Sequence, residues 1–148
     1  MHNLLVHIHI FANAVFSLMA IILCYKSLLG YINGSSYSKT QVYIENGYLG
    51  LLYFGLLMGI ILYFFYRQPD NLSEINLQEL QKQQISRFWA IEHFSVMVFA
   101  LMISQVGKIF TSKSISHREK YKYALFYYGV ATMIILISMS IYLYFKFR

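Results

Sequence analysis

The chain has little of what most protein chemistry needs. Its 148 residues include one cysteine, one proline and only 12% charged side chains, against about 25% in ordinary soluble domains. A lone Cys24 excludes an internal disulfide and any multi-thiolate metal site. No Lys or Arg precedes Lys26, so the start lacks the basic region of a secretory leader. His7 and His9 interrupt the first apolar run, and the faint Ala12-Asn13-Ala14 cleavage pattern is outweighed. The run is read as a retained helix. There is no phosphate-cradling glycine loop, no nucleophile-and-base set and no zinc-ligand spacing. No repeat or low-complexity tract is seen.

Long apolar runs are what the chain has in plenty. Residues 4–25, 47–66, 88–107 and 123–145 each reach the length of about 20 apolar residues that a spanning helix needs. Apolar residues make up 58% of the chain and the mean hydropathy is +0.51. No soluble domain of this size buries four such runs. The expected fold is all-α: a polytopic membrane protein forming one up-down bundle of four transmembrane helices, about 4–29, 47–66, 88–110 and 121–145. Nearly every residue is used in it, which leaves no room for a soluble catalytic module. The formal charge of +6 would suggest nucleic acid in a soluble protein. Here basic residues gathered beside anionic lipid explain it, and no nucleic-acid partner is expected.

Between the runs, Gly30, Asn33, Gly34, Ser35 and Ser36 form a turn-rich break, and Lys26, Lys39 and Glu45 fall in the connection to Gly47. Arg67 and Pro69 stop the second helix. In 73–87, Ile75, Leu77, Leu80 and Ile85 are scattered among Glu, Gln and Lys. Ser73 is a suitable cap for an amphipathic helix lying at the interface or extending the third span. Orientation follows from the basic residues. The termini and middle connection carry Arg67, Lys82, Arg87, Lys146 and Arg148; the other two connections carry Lys26, Lys39, Lys108, Lys113, Arg118, Lys120 and Lys122. Seven against five places both termini on the non-cytoplasmic side. Tyr48, Tyr63, Tyr66, Tyr121, Tyr123, Tyr142 and Tyr144 read as an interfacial aromatic belt.

Polar groups inside a membrane are costly and therefore suspect. His9, Asn13, Ser17, Ala20 and Cys24 share one face of the first helix. His93, Met97, Ala100, Ser104 and Gly107 share one face of the third. His9 and His93 each lie roughly 8 Å inside their helix at 1.5 Å per residue. The first and third helices run in the same direction and stand diagonally in a square bundle. The two imidazoles should then meet across the centre, level with one another. That arrangement suits the axial ligands of one haem, with Gly55, Gly59, Gly129 and Ala131 leaving room for porphyrin edges. Glu92, the only carboxylate placed within a span, is expected to be a hydrogen-bonded interfacial carboxylate, with pairing to Arg87, orienting an imidazole on another helix or taking a proton from a quinol as the roles open to it. The plainer reading stands beside this one. Histidines near helix ends hydrogen-bond at the lipid interface, as expected of His2, His7 and His117, and Gly55-x-x-x-Gly59 is commonly a packing notch.

Several segments carry a family resemblance: His7-Ile8-His9, Tyr25-Lys26-Ser27-Leu28-Leu29-Gly30, Gly59-Ile60-Ile61-Leu62-Tyr63-Phe64, Tyr127-Tyr128-Gly129-Val130-Ala131 and, most specifically, Arg87-Phe88-Trp89-Ala90-Ile91-Glu92-His93. Over nearly its whole length the chain resembles small bacterial four-helix membrane proteins labelled cytochrome b or cytochrome-b-like. The resemblance implies haem b, a quinone or a partner subunit as redox partner, and the bacterial inner membrane, with His9, His93 and Glu92 matching the pattern. Members also tend to carry histidines early in the second and fourth helices, where this chain has Tyr53 and Tyr121, and an arginine where it has Asn13. One haem at most is expected, which weakens electron transfer across ~30 Å of hydrocarbon. The expected function is a one-haem electron carrier rather than an enzyme. The alternative is an accessory subunit of a larger membrane complex with no cofactor. A transporter ranks last, lacking broken helices and charged pore rings.

Overall fold

The computed structural model describes the backbone of residues 2–66 and 77–147, and the side chains of 4–64, 91–141 and 144. Four helices make up the described residues: α1 (His2–Asn33), α2 (Lys39–Tyr66), α3 (Leu77–Lys113) and α4 (His117–Phe147). Each contains a segment long and apolar enough to cross a membrane. The chain is an all-α, multi-pass membrane four-helix bundle. Large apolar side chains such as Phe11 (70% exposed), Ile21 and Phe64 point outward, as they must where the surrounding solvent is hydrocarbon. Arg67, Pro69 and Ser73, expected to stop and cap helices, lie outside the described residues. From Leu77 onward the amphipathic segment is a continuous part of α3.

The helices run further than their apolar runs because the ends are capped. Gly34 takes a left-handed φ of 60° after α1, and the Ser35 N–H bonds the Gly30 carbonyl at 3.2 Å. This is a Schellman closure, which glycine adopts without the cost of a β-carbon. Four residues later Ser38 caps α2, its Oγ accepting from the Gln41 N–H at 3.2 Å. Helix α2 therefore starts at Lys39, eight residues before Gly47, and takes in Gln41 and Glu45.

Packing follows a square. α1 lies on α2 and α4, and α3 lies on the same two, so α1/α3 and α2/α4 are diagonal pairs. Ala20, Ala100, Ala124 and Ala131 are completely or almost completely buried at the interfaces, where small side chains let backbones approach and gain dispersion contact. Gly30 and Gly107 act similarly: a β-carbon there would run into the rings of Tyr121 and Tyr127. Phe16, Tyr48 and Tyr128 pack tilted and edge-to-face through the middle, at 4.9 and 5.1 Å between ring centroids. Tyr48 and Tyr121 were expected in an interfacial belt but are buried. Tyr48 finds its partners inside the bundle, whereas Tyr121 is buried at the connecting end and bonds the connection itself. Tyr121 Oη donates to the Ser36 carbonyl (3.1 Å). The Thr132 hydroxyl donates its proton to the Tyr128 carbonyl (2.7 Å), so Tyr48 is the donor to Thr132 Oγ1 (3.0 Å). Tyr63 and Tyr144 are exposed; the side chains of Tyr66 and Tyr142 lie outside the described residues.

Candidate functional site

The diagonal placement of α1 and α3 brings His9 and His93 close enough to interact electrostatically. Both rings are half-buried, and Nδ1 of His9 is shielded without a hydrogen-bond partner among the described residues. One turn further in, Asn13, Ser17, Phe16, Leu52, His93 and Met97 help line a cavity of about 80 Å³. Gly55 is buried where α1, α2 and α3 converge. A β-carbon on it would lie 3.8 Å from Met97 Cε and 3.9 Å from Asn13 Oδ1, in ordinary van der Waals contact, so there is room for a methyl but little more. Gly59 faces open space instead. Glu92 is exposed, one residue round the helix from His93 and turned outward. Gly129 and Ala131 belong to the other half of the bundle, level with the residues around Tyr48, and Gly129 opens onto the outer surface.

Two imidazoles from opposite helices are the donor type that a haem takes, and Nδ1 of His9 has no hydrogen-bond partner among the described residues. Among the described residues no group of three or more His, Cys, Asp or Glu side chains could hold a metal ion. A non-haem metal cluster is thus not supported there.

The other end of the bundle holds a site that the sequence reading missed. Glu45 is 1% exposed, and its Oε2 takes the Lys108 ammonium at 3.1 Å. Its Oε1 is buried, with no hydrogen-bond partner within bonding geometry among the described residues, though the Thr111 hydroxyl lies beside the carboxylate. Beside it, the Thr111 hydroxyl donates to the Lys108 carbonyl (3.0 Å). One turn toward the connections, the Gln41 amide donates to Ser27 Oγ at 2.8 Å. Glu92 is therefore not the only carboxylate within a span. Glu45 was assigned to a connection because the apolar run starts only at Gly47. Ser38-x-x-Gln41 carries a capping-box spacing, and that signal puts Gln41, Glu45, Tyr48 and Leu52 on one face of a helix starting at Lys39.

An apolar layer separates the two ends. Between Glu45 and Gly55, about 15 Å along α2 at 1.5 Å per residue, the core includes Phe16, Leu49, Leu52, Met97, Ala100 and Ile135, with the Tyr48 and Tyr128 rings on the Glu45 side. The polar residues thus form two separate groups rather than one path. Tyr53 and Tyr121 do not form a second site together. Tyr53 accepts from Gln105 Nε2 (2.7 Å) on the α2–α3 face, whereas Tyr121 sits at the connecting end. His117 ties the two connections together, its Nδ1 accepting from the Tyr37 N–H at 3.1 Å. His7 is exposed, and the side chain of His2 lies outside the described residues. No protein-family model, curated protein or solved structure matches the chain.

Proposed function

We propose that this chain is a small membrane cytochrome-b-like electron carrier that holds one haem b between His9 and His93. The observation that supports this best is the placement of two half-buried imidazoles on diagonal helices, near enough to interact electrostatically, with Nδ1 of His9 lacking a hydrogen-bond partner among the described residues. Buried polar nitrogens are rarely left so without a functional reason. Haem supplies one-electron chemistry when bound. The protein's share is to present both imidazoles from opposite sides, to hold them by packing on α2 and α4, and to exclude water with the Phe16–Met97 layer beneath. Asn13 and Ser17 give that side of the core a polar lining, and Gly59 leaves space at the α2 flank. The exchange partner is a quinone or a partner subunit. The family resemblance supports the bacterial inner membrane as its location, and the seven-to-five distribution of basic residues supports both termini on the non-cytoplasmic side. An absorbance spectrum of the purified protein is the test. A sharp Soret band that disappears in His93→Ala is expected; a colourless protein from haem-replete cells refutes the reading.

One observation favours a second reading, that of an accessory subunit without a cofactor. The cavity beside His93 is about 80 Å³, whereas pockets for organic ligands measure about 300–1,000 Å³. On this reading the Phe16–Met97 layer is simply core, and the protein co-purifies with a larger membrane complex from mild detergent. Recovery of the chain alone under those conditions counts against it.

A further inference from the structure

The outer face of α4 beside the end of α1 carries a groove of about 820 Å³, far larger than the cavity in the bundle interior. Its lining divides by chemistry along its length. Tyr31, Lys122 and Tyr123 stand at the connecting end; Phe126, Gly129 and Met133 continue toward the bilayer centre. Arg118 joins the polar end, its guanidinium 4.9 Å from the centre of the Tyr31 ring. That position over the ring leaves guanidinium N–H groups for an anionic partner such as a phosphate. From Lys122 to Met133 the groove runs ~16 Å at 1.5 Å per residue, close to half of the ~30 Å hydrocarbon core. A β-carbon on Gly129 would meet nothing within 4 Å, so the missing side chain deepens the groove there.

We infer that this groove is a binding site for one anionic phospholipid. Its phosphate would lie between Arg118 and Lys122, its glycerol level with Tyr31 and Tyr123, and one acyl chain over Gly129 toward Met133. Two cations at the head and a lining below that is apolar apart from the Tyr127 hydroxyl match a charged headgroup on a single-leaflet tail. A zwitterionic lipid satisfies the tail but gains less at the head. The site is independent of the histidine pair, which lies at the opposite end of the bundle.

Native mass spectrometry of the full chain, offered equal phosphatidylglycerol and phosphatidylcholine in mild detergent, tests this. One phosphatidylglycerol per chain should be retained, with a preference of roughly 25-fold, the factor that two interfacial cations supply. Arg118→Gln with Lys122→Gln should bring the two lipids near parity. Lys39→Gln with Lys113→Gln, the same loss of charge elsewhere on that end, should keep the preference. Gly129→Leu should fill the groove and release both lipids while the helicity stays unchanged. Equal retention of the two lipids by the native chain overturns the inference. So does a preference that survives loss of Arg118 and Lys122, or full retention by Gly129→Leu. A lipid-free dimer that Gly129→Leu dissociates would assign the groove to a second copy and overturn it too.

Discussion

Replacing Lys108 by methionine is the sharpest test of how this bundle is held. Glu45 is 1% exposed and Lys108 23% exposed, with 3.1 Å between Nζ and Oε2. Methionine keeps most of the stem's volume but leaves a buried carboxylate without its bonded cation, with only the weaker field of Lys120 acting on it. Breaking a buried pair from one side costs ~3–5 kcal/mol. Because a quarter of Lys108 reaches solvent, some water can return, and the low end, about 3 kcal/mol, is expected. Glu45→Gln should cost less, about 1–2 kcal/mol. The orphaned ammonium sits five residues from the end of α3, ~8 Å at 1.5 Å per residue, and its flexible stem can carry it toward the interface. The double variant has no charge left to bury and should recover much of the loss, since neutral replacements of buried pairs are often harmless. Unfolding by SDS titration, followed by far-ultraviolet circular dichroism, gives the four corners of the cycle. A loss below ~1 kcal/mol for Lys108→Met would mean the pair acts like a surface ion pair. A double variant no better than the single would also refute the reasoning.

Two further substitutions probe the ends and interfaces. Gly30→Ala drives a methyl into the Tyr121 ring and should lower stability by about 1–3 kcal/mol, whereas Gly129→Ala, facing open space, should be neutral or slightly stabilising in the same titration. Ser38→Ala removes the oxygen that accepts from the Gln41 N–H and should cost ~1 kcal/mol; hydrogen exchange should show the first turn of α2 opening more readily, and unchanged protection there would show the cap to be idle.

The two candidate sites were legible to different degrees. His9 and His93 stand out because an ionisable side chain is conspicuous in an apolar run. Helical spacing alone puts His93 on a face with Met97, Ala100 and Ser104, which is the face that α3 buries. On α1 the spacing was less informative. Ala12, Phe16, Leu23 and Ser27 are buried, and His9, Asn13 and Ser17 lie at the margin of that face. Glu45 was hidden because a charged residue next to a polar connection reads as part of that connection. Nothing in its own neighbourhood names Lys108, 63 positions away, as its partner. The lipid-facing groove was equally illegible, since it arises from the absence of a side chain at Gly129 next to the end of a different helix.

Four spans and an all-helical fold were determined by the sequence alone. Hydrocarbon leaves the backbone no hydrogen-bond partner but itself, so long apolar runs must be helices. Short connections of polar residues then force neighbours to be antiparallel. Which residues face inward at each level, and which meet across the bundle, was decided only by tertiary packing. Small residues such as Gly30, Ala100 and Gly107 set the approach of each helix pair, and that approach rotates the remaining faces into place. The same physics turned Tyr48 from an interfacial residue into a core one, moved Gly129 to the outer surface and brought Glu45 under Lys108. Each outcome depends on the shape of the opposing helix, and a hydropathy pattern carries no record of that shape.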